Sequence, residues 1–234
     1  MGEECPRRQT LTMRKVLILV EGQTEERFVK DVLQPHLWNI GVHPEPKLVM
    51  TKRVKRGPHF KGGITGFNKV KDDLRRLLGD TDAALVSTMI DYYGLPDDFP
   101  GKQSLTGRTS HERAKELEEA LEQHFNAGPR FAAYLMIHEF EALLFCGPAV
   151  LAEVMNAPSS HQQLQAIRNG FPSPEDINDN PSTTPSARML NVFPGYRKRL
   201  HGPLTTGRIG LDAMRRECAH FNQWVSRLEQ LGNS

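Results

Sequence analysis

The sequence predicts an α/β fold: a mostly parallel, doubly wound sheet flanked by helices, followed by a C-terminal helical extension. Three observations predict it. Largely apolar runs at 15–20, 83–90 and 131–137 read as strands buried on both faces. Amphipathic segments of crossover length separate them, as parallel βαβ units require. Two of the runs stop abruptly at a carboxylate, Glu21 and Asp91, and the third runs into His138-Glu139-Phe140-Glu141.

The elements follow in order. After the first strand, Gly22 permits a tight turn, and Thr24 is placed to cap a helix that starts at Glu25 and reaches about Trp38. Phe28, Val29, Val32 and Leu33 fall on one face of it. A second strand is expected over 48–54, leading into a glycine-rich basic loop and a helix over 67–78. The third strand, 83–90, ends at Asp91, and a loop with prolines and glycines fills 92–107. A helix over 110–125 has a capped start and apolar positions at Leu117, Leu121 and Phe125. The fourth strand, 131–137, precedes a short apolar helix over 142–146.

Past Gly147 no further buried strand is legible. Short helical stretches (148–155 and 161–169) give way to a proline- and serine-rich stretch, 172–185. The last amphipathic segment, 211–231, carries Met214, Phe221, Trp224, Val225 and Leu228. The expected organisation is therefore a disordered leader (1–12, with Met13 as an alternative start), an α/β core (13–147) and a helical extension packed on it (148–234).

Composition sets bounds on function. A chain of 234 residues buries a core without a disulfide or metal staple. With a net charge of +2, affinity for nucleic acid has to come from local basic patches. Cys5, Cys146 and Cys218 show neither zinc-site spacing nor a disulfide framework, which points to a reducing, cytoplasmic setting. No apolar run approaches a membrane span, so no membrane partner is expected. The GxxxxGK[ST] pattern is missing around the glycines at 57–63, so no phosphate-cradling loop of that kind is expected.

The chemistry concentrates at strand ends. In a doubly wound sheet the carboxyl ends of neighbouring strands share one edge, where ligands bind. Glu21, Asp91 and the Glu139/Glu141 pair then meet in one crevice, and like charges so close call for a cation. All-oxygen donors favour Mg2+ or Mn2+ over zinc. Glu139 is the expected third carboxylate and Glu141 the alternative, because residues two apart share a face on a strand and diverge on a helix. The bland readings are solvated carboxylates at strand ends, a turn cap for Asp91 and a structural role for His138. Lys52, Arg53, Lys55, Arg56, His59 and Lys61, with Lys198 further on, are placed to grip backbone phosphates or to form solvated surface.

These residues carry a resemblance. The stretch 20–25 (Val-Glu-Gly-Gln-Thr-Glu) after one apolar strand, and Ile90-Asp91 after another, resemble the Toprim domain of topoisomerases, primases and OLD-type nucleases. The chain is more closely similar to a bacterial Toprim-like family, some members of which act as the effector half of PARIS-type anti-phage systems. His138 to Leu144, Pro174 to Asn178, Pro194 to Lys198 and Cys218 to Phe221 match its later motifs, so the resemblance extends from about Met13 to the C-terminus. It implies a Toprim fold and a Mg2+- or Mn2+-dependent nuclease site with Glu21 as catalytic glutamate and Asp91 as metal-binding aspartate. It also implies DNA, RNA or tRNA as substrate and an ABC-type ATPase as partner. One departure stands out. Tyr93 occupies the place of the usual second aspartate, and Asp97 and Asp98 come too late to fill it, which leaves Glu139 to substitute. The alternative is a catalytically degenerate binding module; a phosphatase acting on small substrates is a third. A homo-oligomer is also open, since 211–231 suits an interface as well as a core.

Overall fold

The computed structural model describes residues 13–49, 66–178 and 182–233. The expected leader, the basic residues Lys52, Arg53, Lys55, Arg56, His59 and Lys61, and Cys5 all lie outside the described residues. The architecture is α/β. Five parallel strands form the sheet: β1 (Arg14–Val20), β2 (Val42–Leu48), β3 (Ala83–Asp91), β4 (Phe131–Ala132) and β5 (Leu135–Met136). Their order is β2-β1-β3-β4, with β5 pairing β3 further along the same side.

Alternation along β1 sends its side chains to two cores. Val16, Ile18 and Val20 join one apolar cluster, and Leu17 and Leu19 join the other. The second cluster is closed by α3 (Phe67–Leu78) and α4 (Ser110–Phe125). Both helices occupy the spans that the sequence predicts. Asp98 accepts the Phe67 N–H (2.9 Å) at the start of α3, and Thr109 with Glu112 forms a capping box on α4. Asp98 is thereby committed to a helix end, and Asp97 pairs with Lys102, so neither fills the second aspartate position.

The helix after β1 comes in three pieces, α1 (Gln23–Phe28), a π-helical turn (Val29–Leu33) and α2 (Gln34–Trp38). Pro35 has no N–H to give the carbonyl of Asp31, and the wider turn absorbs the break. The start also differs from expectation: Gly22 is the cap residue, and Thr24 is buried inside the first turn.

The expected strand at 48–54 lies, from residue 50 on, outside the described residues. The strand seen beside β1 is β2, which ends at Leu48 and contains Pro44 and Pro46. Prolines two apart point their nitrogens the same way, and β2 is the edge of the sheet. That side needs no donors, and the missing N–H groups block further pairing.

The predicted fourth strand is split into β4 and β5 by side-chain hydroxyls. The Thr88 hydroxyl donates to the Tyr134 carbonyl (2.8 Å) and accepts its N–H (2.8 Å), taking over both ladder bonds. Ser87 likewise donates to the Ala132 carbonyl (2.6 Å). The outer edge here is closed by α4, where Glu122 accepts the Ala133 N–H and Glu118 accepts the Leu135 N–H.

The C-terminal region adds α5 (Pro148–Val154), α6 (His161–Asn169), α7 (Pro185–Val192), α8 (Lys198–Ile209), α9 (Leu211–Glu217) and α10 (Ala219–Glu229). It shares one apolar cluster with α1 and the sheet. Trp224 stacks on Tyr134 at 4.4 Å between ring centroids, and Phe221 meets Phe28 edge-on at 6.0 Å. The single expected segment 211–231 bends at Cys218, which has extended backbone between α9 and α10. Among the described residues no helix is long and apolar enough to cross a membrane.

Candidate functional site

Glu21 follows β1 directly, and Asp91 is the last residue of β3, so the parallel register sets them side by side. The Asp91 N–H donates to Glu21 Oε2 at 3.4 Å. From β5 the chain passes His138, whose φ of 66° is left-handed, and enters a 3-10 turn, Phe140–Cys146. The left-handed step turns the chain back under the strand ends. Phe140 then donates its N–H to Asp91 Oδ1 (3.1 Å), and Glu141 is buried at the floor, 1% exposed.

Glu25 is the fourth carboxylate and lies in the first turn of α1, where the helix dipole favours a negative charge. Lys198, the first residue of α8, meets three of the four. Its Nζ lies 3.3 Å from Glu141 Oε2, 3.4 Å from Asp91 Oδ2 and 3.5 Å from Glu25 Oε1. Gly202 eases the approach: a Cβ there would stand 3.1 Å from Thr24 Cγ2 and 3.2 Å from the Phe140 ring. Any side chain there would crowd α8 against α1 and the 3-10 turn, so its absence favours the close approach. Tyr196 donates its hydroxyl to Glu141 Oε1 (3.3 Å).

These contacts are loose. Charge-assisted N–H···O bonds run about 2.7–2.9 Å, and every Lys198 contact is longer. Glu25 Oε1 and Glu141 Oε2 are buried without any hydrogen bond. One ammonium therefore faces four carboxylates, and the titration behaviour reflects the imbalance. Burial, followed by repulsion from Asp91, pushes Glu21 up to about 8. Burial pushes Glu141 up to about 7, with Lys198 pulling against it, and Glu25 is raised for the same reasons. At Lys198 burial works against the charge, but Asp91, Glu141, Glu25 and Glu21 outweigh it and hold the pKa above its ordinary value.

The placement reverses the expected order of Glu139 and Glu141. Glu139 turns its carboxylate to α7, accepting the Ser186 N–H (2.8 Å) and hydroxyl (3.0 Å), while Glu141 meets Lys198. Glu139 has extended backbone and Glu141 lies inside the 3-10 turn, so a two-residue alternation does not hold. Lys198, expected among phosphate-gripping residues, has its ammonium among the carboxylates. Tyr93, at the second aspartate position, is 43% exposed and takes no part in the cluster.

Sequence reasoning missed Glu25, although it lies one helical turn after Glu21 and in a helix's first turn. It also missed Lys198 as a partner of these acids, 107 residues from Asp91. His138 is buried, its Nδ1 within 3.1 Å of Asn178 Nδ2, and burial depresses its pKa to about 4, so the ring is neutral. A cavity of about 490 Å³ between β1, β2 and α3, lined by Leu17, Leu19, Leu48 and Leu77, includes none of the cluster.

The donor set is chemically suited to a hard divalent cation: four carboxylates, no sulfur or imidazole, and two buried oxygens without a hydrogen bond. As they stand, no three histidine, cysteine or carboxylate groups among the described residues are arranged to hold a metal ion. The acids are drawn around the lysine instead.

Comparison with known families places residues 20–229 within the family described as a domain of unknown function (DUF4276). The chain belongs to this family. The match takes in both the strand ends and the C-terminal helices, so Glu21, Asp91, Glu141 and Lys198 all lie inside the family's own extent. No curated protein and no solved structure matches the chain.

Proposed function

We propose that the chain is a metal-dependent nucleic-acid phosphodiesterase of Toprim type, a nuclease switched on by a partner such as an ABC-type ATPase in defence against phage. One observation carries the reading: Glu25, Asp91 and Glu141 converge on the Lys198 ammonium at 3.3–3.5 Å with Glu21 beside Asp91, and the buried Glu25 Oε1 and Glu141 Oε2 have that shared, distant ammonium and no hydrogen bond. Burying that many acids is costly, and a second cation relieves the cost.

Glu21, Asp91 and Glu141, with Glu25 beside them, would hold Mg2+ or Mn2+. Such an ion would polarise a phosphoryl oxygen and position water for in-line attack. The residues themselves supply the rest. Glu21, raised to about 8 in the metal-free cluster, gives up its proton when a cation binds, and its carboxylate is then placed either as a ligand or to take a proton from a reacting group. Tyr196 orients Glu141. Lys198 keeps 39% of its side-chain surface, so it stands at the mouth of the cluster and can turn toward a phosphate. The basic residues Lys52, Arg53, Lys55, Arg56 and Lys61 supply affinity for the backbone that is independent of sequence.

The test is incubation with plasmid DNA and with total tRNA, with Mg2+ or Mn2+, beside Glu21→Ala. Cleavage by the wild type that the variant loses supports the nuclease and names its substrate; equal cleavage by both contradicts it. A second reading, a degenerate Toprim-like module that binds without cutting, is favoured by Tyr93 and by the commitment of Asp97 and Asp98 elsewhere. Binding of labelled DNA or tRNA without cleavage, in the presence of the activating ATPase, would favour it.

A further inference from the structure

Cys146 and Cys218 are 72 residues apart in sequence, yet their sulfurs stand 3.4 Å from each other, hydrogen-bonded and without a disulfide. We infer that they form a reversible dithiol–disulfide pair, oxidised by peroxide, that staples the site-bearing turn to the C-terminal helices. The inference is independent of the proposed nuclease activity.

Position supports it. A disulfide needs the sulfurs at about 2.05 Å, so closure asks for about 1.4 Å of movement. Both residues sit at joints and not within regular helices. Cys146 ends the 3-10 turn and precedes Gly147, whose backbone is non-helical at φ −144° and ψ 71°. Cys218 is the extended residue between α9 and α10, at φ −121° and ψ 95°. Small torsional changes at two such joints supply that movement without unwinding a helix.

The two thiols also differ in a way that suits sequential chemistry. Cys218 is wholly buried, and its hydrogen bond to Cys146, then its burial, raise its pKa, so it rests as a thiol. Cys146 is only partly buried, so of the two residues it is the one closer to solvent and the first to meet an oxidant in this scheme. The Cys146 thiolate attacks a peroxide oxygen; the O–O bond breaks, and hydroxide leaves and takes up a proton as water. The resulting sulfenic acid at Cys146 is attacked by the Cys218 sulfur as that thiol gives up its proton. The S–O bond then breaks and a second water leaves. Two thiols and one peroxide become one disulfide and two waters, with both electrons supplied by the sulfurs.

The consequence reaches two places at once. The turn ending at Cys146 also carries Glu141 and the Phe140 N–H that holds Asp91. Two and three residues after Cys218, α10 presents the His220 and Phe221 N–H groups to Glu175. A bond between them fixes the turn against the helix pair.

Reduced, desalted protein is treated with hydrogen peroxide, alkylated with iodoacetamide and digested without reductant for mass spectrometry. The expected product is a Cys146–Cys218 linked peptide pair about 2 Da lighter than its two parts, which dithiothreitol reverses. Melting of the intact oxidised protein should rise, because the cross-link closes a long loop. Cys218→Ser should leave a sulfenic acid at Cys146 that dimedone traps, and Cys146→Ser should give no adduct at Cys218. Full alkylation of both cysteines after peroxide, or a cross-link only from Cys146 to Cys5 or to a second molecule, would overturn the inference.

Discussion

Glu175 and Glu141 are both almost wholly buried, at 3% and 1% exposure, yet the chain holds them in opposite ways. Glu175 lies against the start of α10, where its two oxygens accept the N–H groups of Phe221 (2.9 Å) and His220 (3.0 Å). Those are donors that a helix N-terminus leaves over, and the dipole adds to the match. Glu118 and Glu122 play the same part for the broken edge of the sheet. Glu141 and Glu25 instead each keep a buried oxygen with no hydrogen bond, near a lysine that they share. Burial of an acid is thus not what separates the two regions. In one region the backbone satisfies the acid; in the other, the acids share one ammonium at 3.3–3.5 Å.

The largest contrast should appear in activity. Glu21→Ala should lower metal-dependent cleavage at least ~100-fold with little loss of stability, read from initial rates beside thermal melts. Glu175→Ala should do the reverse. It strands two buried N–H groups and opens a cavity, costing about 2–5 kcal/mol in urea unfolding, while the refolded fraction keeps its cleavage rate.

Lys198→Met sharpens the comparison from the cation's side. Without the ammonium the four acids face one another, and the variant should lose about 1–3 kcal/mol in the absence of metal. Millimolar Mn2+ should restore more stability to it than to the wild type. Equal Mn2+ effects on the melting of both proteins would break the link between lysine and metal.

A smaller effect should show in pH. Glu21 and Glu141 have folded-state values raised to about 8 and about 7, well above an unfolded carboxyl. The native state therefore binds more protons than the unfolded one from about pH 4.5 upward. Their contribution is fully present below that pH and is lost as pH rises through 7 to 8, so the metal-free protein should melt lower at pH 8.5 than at pH 6.5. His220, whose pKa is raised with its Glu118 bond opposing the effect of burial, adds a slope of the same sign in every variant. Glu21→Gln should flatten only the share belonging to Glu21, and an unchanged slope would remove that residue from the account.

How much of this was legible follows from how local each signal is. Glu21 and Asp91 end apolar strands, and the strand ends alone place them together. The spans of α3 and α4 are marked by apolar periodicity, and α4 also by its Thr109–Glu112 box. β2 is obscured by Pro44 and Pro46, which are tolerated only because the strand lies at an edge, a fact of topology. The break at Tyr134 depends on Thr88, a contact 46 residues away. α8 is masked by Gly202 and Pro203, poor helix formers, one of which favours close approach. With α8 hidden, the partnership of Lys198 with the acids could not be read, and neither could the role of Glu25.

The central claim is that the four-carboxylate cluster is a cation site and not a self-contained salt bridge. Calorimetric titration of Mn2+ into wild-type protein and into a Glu25→Gln, Glu141→Gln double variant tests it most directly. The account predicts binding by the wild type and at least a ~10-fold weaker affinity in the double variant, with its fold intact by circular dichroism. Equal affinity in both, or no binding to either with nucleic acid present, would contradict it.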